Sequence, residues 1–552
     1  MPTLHVLLSN PDAEVRTEAD RVLIRALPTA AGRAREPDPQ ADGTAVEITL
    51  AQGRVQHVRA TRGITTSYEL YYRRADDGGL TLSDSFAALL ASTPRAARRV
   101  EPAALADHLL FRTTPGEATY AAGLQRLGQG NLLSWDARSG ACGQQRALRL
   151  QADGALSRAA AVDAVERALA EAMSEVPEGG RLANLLSGGI DSTLLHTYCA
   201  PQTPSTSVAI DSPEFAFEAG YAQSASRLLG SRHHLLPARE AEYLERLEAC
   251  IDALGMPPHH LQTVLLDIAF QGPFARFLTG QLADALFGLE TAIAASRAWH
   301  LRFGLRAAGG GLGPRLGGGV RARVERLGQL ARQLARAPDD PAGYAMQFAV
   351  YSDLRLAAEL LGPELVQQRL RARAEYVLAR VPAPAGAERA LARHLHLGHW
   401  IDFYCDDTVS LWRQLAQSRG KALHAPFTHP AVARVALAVP PGERYLHRQH
   451  AKPIPKALLR RRLPAYPVHQ SKGGSGLPLT RYLRSGPLTA AFERYALPDW
   501  LPLTREQLAQ APAWIVWNAL TFSIWQTRVL QRDDLAPPPA TRRLQWPAGP
   551  AA

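Results

Sequence analysis

At 552 residues, 46% of them hydrophobic, the chain is longer than a single core organises, and two or three domains are expected. Lys and Arg outnumber Asp and Glu by 62 to 51, for a net charge of +11 and a pI near 9.7. The excess is spread through an Ala/Arg/Leu-rich sequence, so it points only weakly to nucleotide or peptide binding, and no nucleic-acid partner is expected. No run of about eighteen apolar residues occurs, and Met1 to Asn10 lacks the basic flank and long apolar stretch of a signal peptide; neither a membrane span nor export is expected, and the chain reads as cytoplasmic. Cys142, Cys199, Cys250 and Cys405 lie far apart with no CxxC pair or Cys/His cluster, which argues against a disulfide framework and a structural zinc site.

From Leu4 to about Arg146, short apolar runs alternate with turn signals: Val46 to Leu50, Val55 to Val58, then Tyr68 to Tyr72 before Asp76-Asp-Gly-Gly. This predicts a β-rich domain over 1–150, closed by a helix at Pro102 to Phe111 and a strand in Gly130-Asn-Leu-Leu-Ser-Trp. A polar stretch at Gln151 to Ser157 marks the boundary, and Ala159 to Glu175 is periodic as an amphipathic helix.

A second domain is predicted over 155–535. Strand-length runs at Leu182 to Leu186, Thr206 to Ile210 and Arg276 to Thr279 alternate with helical patterns from Ser192 and near Glu218 to Leu229. Such alternation predicts an α/β fold with a parallel sheet, whose ligands sit at the carboxyl ends of the strands. Beyond Leu286 a mainly helical region is expected to about Val529, and 536–552, with Pro537-Pro-Pro, reads as an irregular tail. The glycine-rich stretch from Gly309 and the arginine-bearing segment Val320 to Ala337, within an insertion over 296–337, read as a loop and a basic amphipathic helix, either packed with a solvated arginine face or contacting a peptide.

Ser187-Gly-Gly-Ile-Asp-Ser192 follows a strand and precedes a helix, a setting in which backbone N–H groups can wrap a pyrophosphate. Gly188 and Gly189 permit close approach, Ser187 and Ser192 offer hydroxyls, and Asp191 is suited to holding Mg²⁺. In isolation the same residues also describe a Ser/Gly turn capping a helix. Ile210-Asp211 ends the next strand; Leu278-Thr-Gly-Gln-Leu-Ala-Asp284 ends another and supplies a second carboxylate. Lys472 stands on the glycine-rich loop Ser471 to Pro478, where a fixed cation could stabilise a developing anion.

In this order and spacing the four elements resemble the synthetase domain of class B asparagine synthetases over roughly residues 110–490, together with Gly123 to Gly130, Ala425-Pro-Phe-Thr-His-Pro430 and Lys452-Pro-Ile-Pro-Lys456. The resemblance implies an inactive Ntn-hydrolase-like N-terminal domain and a PP-loop synthetase domain with extra helices. It implies ATP held by Leu185, Ser187, Gly188, Gly189, Asp191, Ser192, Ile210, Asp211, Thr279 and Gly280, Mg²⁺ on Asp191 and Asp284, and Lys472 as the catalytic lysine.

Three departures narrow it. Asparagine synthetases open with Met-Cys, the cysteine being the glutaminase nucleophile, whereas here Pro2 and Thr3 follow Met1 and no cysteine precedes Cys142. The acidic or tyrosyl residue after Thr-Gly is Gln281, followed by Leu282-Ala283 in place of Gly-Gly or Gly-Ser. Ala422 stands at the glutamate position before Pro426-Phe427, with His424 at the arginine position. This combination is most similar to lasso peptide macrolactam cyclases. It implies a precursor core peptide as substrate and a leader peptidase and leader-recognition protein as partners. A β-lactam or other small-molecule amide synthetase is the alternative; it needs a base, for which Tyr404, Asp406 and His424 are candidates. His259, His260 and His469 read as structural or solvated.

Overall fold

The computed structural model describes residues 2–26, 43–152, 154–177, 181–211, 216–288, 341–347, 353–382, 403–440, 450–469, 477–497 and 511–545, with 38, 40, 350, 444, 446 and 447. The N-terminal part folds as two sheets. The first contains β1 (Leu4–Leu8), β6 (Tyr71–Arg74), β7 (Leu80–Ser83) and β8 (Leu124–Arg126). The second, six-stranded sheet is built from β2 (Glu14–Thr17), β3 (Arg21–Arg25), β4 (Thr44–Ala51), β5 (Arg54–Arg62), β9 (Asn131–Asp136) and β10 (Cys142–Arg146). Alternation decides which faces meet: in β4, Val46, Ile48 and Leu50 point inward and join Val6, Leu82, Val58 and Trp135 in one core between the sheets. Helices α1 (Phe86–Ala91) and α2 (Pro102–Phe111) pack outside that core, against the second part of the chain.

The tail expected to be irregular after 535 holds one short strand among its described residues. Arg542–Arg543 form it, antiparallel to β1 at the edge of the first sheet, and Leu544 packs on the N-terminal core. Ser9 and Thr541 hydroxyls meet at 2.9 Å, and the Arg542 guanidinium donates to the Ala13 carbonyl at 2.7 Å. An edge strand exposes unpaired backbone groups, and proline before the strand does not prevent the tail from satisfying them.

After α3 (Arg158–Ser174) comes a five-stranded parallel sheet in the order β13-β12-β11-β14-β15: β11 (Leu182–Leu185), β12 (Ser205–Ile210), β13 (His233–Ala238), β14 (Arg276–Leu278) and β15 (Ala422–His424). Of these, β13 and β15 are additions to the sequence reading, which took the region after Leu286 as helical. The crossovers carry α4 (Ile190–His196), α5 (Ala216–Leu229), α6 (Tyr243–Leu254) and α7 (Thr263–Phe270), and α8 (Ala283–Phe287) follows β14. The fold is therefore mixed α/β. The basic insertion over 296–337 lies outside the described residues. Among the described residues no helix is long and apolar enough to cross a membrane.

The two parts are joined by polar groups buried together. Ile64 to Leu70 are all buried, and this loop meets the segment 405–428. Thr65 donates to the Thr428 carbonyl at 2.6 Å, and the Arg413 guanidinium donates to Ser67 Oγ at 2.8 Å while lying 3.5 Å from the Tyr68 ring centre. Glu69 accepts from Ser410 Oγ at 2.5 Å and neutralises the buried Arg62 (3.2 Å) and Arg126 (3.5 Å). Removing one partner of such a set strands the others in low dielectric. Glu69→Ala is expected to cost about 3–5 kcal/mol in urea unfolding, and a loss below about 1 kcal/mol would show that the network is not stabilising the interface.

Two of the buried histidines show why acid destabilises the fold. Burial pushes the His108 imidazole, hydrogen-bonded to Tyr120 OH at 2.9 Å, down to about 3. Burial, aided by Arg413 and Arg276, does the same to His424. The unfolded chain takes up both protons near pH 6.5 and the folded chain does not. Their stabilising contribution is thus complete above about pH 6.5 and is lost as pH falls toward 3, at about 1.4 kcal/mol per pH unit for each histidine. A urea midpoint that stays level between pH 7 and 5 would contradict this.

Candidate active site

The strand order reverses at β11, which pairs with β12 on one side and β14 on the other. Crevices outside such a point are where open α/β sheets take ligands. The loop leaving β11 shows why its residues are small. Gly188 has φ +70°, and a Cβ there would lie 2.4 Å from the Tyr221 backbone in α5. Ser187 Oγ and Ser192 Oγ are 3.1 Å apart, and Ser192 Oγ also accepts the Ser187 N–H at 3.2 Å, so the loop closes on itself. Asn184, buried in β11, donates to the Ser192 carbonyl at 2.9 Å and ties strand to helix.

The loop after β14 packs directly on this one. A Cβ on Gly280 would sit 2.9 Å from Asp191 Cβ and from the Ser192 backbone nitrogen, so glycine is required for the approach. Thr279 N–H donates to the His424 carbonyl at 2.9 Å, and Thr279 Oγ1 accepts the Gln281 N–H at 3.4 Å. Leu282 then adopts φ +77°, where a branched side chain is strained, and its complete burial holds it there. This explains the glycine expected at that position: the backbone must turn left-handed before α8 to bring Asp284 round.

Asp191 and Asp284 consequently face one cation, the ammonium of Lys452. It donates to Asp191 Oδ2 at 2.5 Å and is in contact with Asp284 Oδ1. Burial opposes the charge on Lys452, but the two carboxylates outweigh burial and hold its pKa above the ordinary lysine range. A short hairpin of β16 (Leu446–His447) and β17 (His450–Ala451) leads to Lys452, which takes φ +58° before the helix Pro453–Arg462. From that helix's far side Tyr466 donates to the Gly188 carbonyl at 2.6 Å.

Of the residues singled out in the sequence, Ser187, Gly188, Gly189, Asp191, Ser192, Thr279, Gly280 and Asp284 are gathered around this point. Leu185 and Ile210 end β11 and β12 on the same edge of the sheet. Asp211 is exposed there, and its carboxylate accepts the Glu240 N–H at 2.7 Å, securing the turn after β13. Lys472, and the side chains of Tyr404 and Asp406, lie outside the described residues. His424 is buried and turned toward Asp12, 3.6 Å away. His259 is buried, His260 stands edge-on to Trp412, and His469 meets Arg460 at the surface.

Asn184 and Tyr466 are contributors that sequence reasoning passed over, and Lys452 is one it quoted within a motif but gave no role. Pro453 suits the first position of a helix, but nothing local tells that the Lys452 ammonium reaches a carboxylate 261 residues earlier. The donor set also suits Mg²⁺: two carboxylates converge on one cation-sized volume. Among the described residues no larger His/Cys/Asp/Glu group is present, and Mg²⁺ is ordinarily held by one or two carboxylates plus substrate phosphates.

A closed glycine loop and paired carboxylates at the switch point of a parallel sheet define an α/β domain built to bind a ligand at its carboxyl edge. The sequence model of the family described as asparagine synthase matches residues 161–513, more than half of the chain, and the chain belongs to that family. The family implies an ATP-dependent ligase that forms amide bonds. No curated protein matches the chain.

Replacing Lys452 tests the electrostatics without any substrate. Lys452→Met leaves Asp191 and Asp284 facing each other uncompensated, at an expected loss of about 3 kcal/mol. Added Mg²⁺ should then raise the variant's melting temperature more than it raises that of the wild type. Equal Mg²⁺ responses would mean that the carboxylates do not share the cation site.

Proposed function

We propose that this chain closes a macrolactam: it joins the N-terminal amine of a leader-cleaved precursor peptide to an internal Asp or Glu side chain through an acyl-adenylate, as in lasso peptide biosynthesis. The observation that carries the reading is Lys452, an ammonium seated between Asp191 and Asp284 beside the glycine loop, whose charge the two carboxylates favour. The peptide carboxylate attacks the α-phosphorus of ATP and pyrophosphate leaves; the amine then attacks the acyl carbon and AMP leaves. The net change in the peptide is loss of one water.

In this reading the loop residues Ser187 to Ser192 hold the pyrophosphate, and Thr279 and Gly280 border the nucleotide. Lys452 supplies one fixed positive charge beside the loop, and Lys472 is the catalytic lysine that stabilises charge in both adenylation and acyl transfer. Asp191 and Asp284 would hold Mg²⁺ once the Lys452 ammonium leaves the volume between them, and the ion would offset phosphate charge. The choice of nucleophile follows from what surrounds the site. Gln281 and Ala422 offer no acid–base group, and His424, with its pKa near 3, is a poor proton acceptor. An α-amine has a pKa of about 8 and is partly neutral at cytoplasmic pH, so it needs little help; a poor amide nucleophile needs much more. A glutaminase has no part in this scheme, since the amine belongs to the peptide.

Incubating the purified protein with Mg-ATP and the linear core peptide encoded beside its gene should yield a peptide lighter by one water, with matching AMP and pyrophosphate by mass spectrometry and nucleotide analysis. A peptide that stays linear while a small amino acid triggers pyrophosphate release would replace this reading with a small-molecule amide synthetase.

A further inference from the structure

Tyr466 has no role in the scheme above, yet it is buried and its phenol makes one of the shortest contacts to the glycine loop, 2.6 Å to the Gly188 carbonyl. Its ring packs in the same apolar cluster as Leu194, Leu459 and Val468, and its own N–H donates to the Leu463 carbonyl at 3.0 Å, so the phenol is aimed by its surroundings. The residue it holds is the most confined in the loop, since the α5 backbone closes off the far side of Gly188. The orientation of the peptide unit between Gly188 and Gly189 is set by hydrogen bonds, from Tyr466 to the Gly188 carbonyl and from the Gly189 N–H to Ser187 Oγ. Neither residue has a side chain to resist its rotation.

In a trans peptide unit the carbonyl and the following N–H point in opposite directions. A bond that draws the Gly188 carbonyl toward Tyr466 therefore turns the Gly189 N–H away from it, toward Ser187 Oγ at 3.3 Å and the loop interior. Rotating that unit would place a carbonyl oxygen where an anion needs a donor, converting attraction into repulsion.

We propose that Tyr466 is a positioning residue for the pyrophosphate portion of the nucleotide: its hydroxyl holds the Gly188–Gly189 peptide with the N–H on the Ser187 Oγ side of the loop, the side on which the anion would compete for it. The assignment rests on the phosphate-loop reading of residues 187–192. It also means that one stretch of chain, 452–466, sets both the cation at Asp191 and Asp284 and the orientation of the loop beside them.

The test is calorimetric titration of the full-length wild type and Tyr466→Phe with magnesium pyrophosphate, Mg-ATP and adenosine, alongside melting temperatures of the free proteins. Phenylalanine keeps the ring packing and removes only the hydroxyl. The variant should bind pyrophosphate and ATP about tenfold more weakly, with adenosine affinity unchanged and a melting temperature lowered by no more than the loss of one buried hydrogen bond. Unchanged ATP and pyrophosphate affinities would overturn the assignment and leave the phosphate-loop reading standing. Equal weakening for adenosine would also overturn it, because the effect would then be a general loosening. A wild type that binds adenosine but neither phosphate-bearing ligand would overturn both.

Discussion

Two carboxylates brought to the same edge of a sheet repel each other unless a cation lies between them, and in this chain the Lys452 ammonium lies between Asp191 and Asp284. Each of the three residues comes from a different part of the sequence, and each arrival has its own steric condition. Asp191 follows a loop that only glycine can fill at 188; Asp284 follows a left-handed turn taken by Leu282; Lys452 is itself left-handed at the start of a helix. The closeness of Gly280 to Asp191 couples the first two, and Tyr466 couples the third to the first. The site is thus a junction where packing requirements and charge neutralisation are satisfied by the same atoms.

The N-terminal part is bound to this junction through buried polar contacts. Ser67, Glu69 and Tyr71 receive Arg413, Ser410 and Gln414, which stand on the chain just before β15. Asp12 likewise reaches Arg276 at the start of β14, at 3.0 Å, and His424 at the end of β15. Groups of this kind are costly to separate, because each would be left unpaired in a poorly solvated place. The described strand at Arg542–Arg543 adds a second tie, since the last described stretch of chain completes a sheet begun by the first. The N-terminal part is thus packed against the strands β14 and β15 of the parallel sheet and the chain that leads into β15.

Period-two alternation in β4 and the strand–glycine–helix sequence at 182–196 were readable because they are local: side-chain spacing and the conformational freedom of glycine are properties of a few adjacent residues. The same holds for the helices at 102–111 and 158–174, whose caps and apolar faces lie within their own turns. Strand β15 was not legible, since Ala422-Leu-His424 is too short to show a period and becomes a strand only by pairing with β14. The short strand in the tail was not legible for a similar reason: its prolines speak against regular structure locally, while the open edge of β1 offers two of its residues partners from the other end of the chain.

By itself, therefore, the sequence determined the α/β class, the glycine loop with its serines and Asp191, and Asp284 as a second carboxylate, all of which rest on short-range spacing. Tertiary structure alone decided that Lys452 occupies the space between those carboxylates, that Asp211 serves a turn, that His424 is buried against Asp12, and that Tyr466 grips Gly188. Those outcomes depend on distances between residues hundreds of positions apart, and a charge or hydroxyl carries no mark in the sequence of the partner that folding will bring to it.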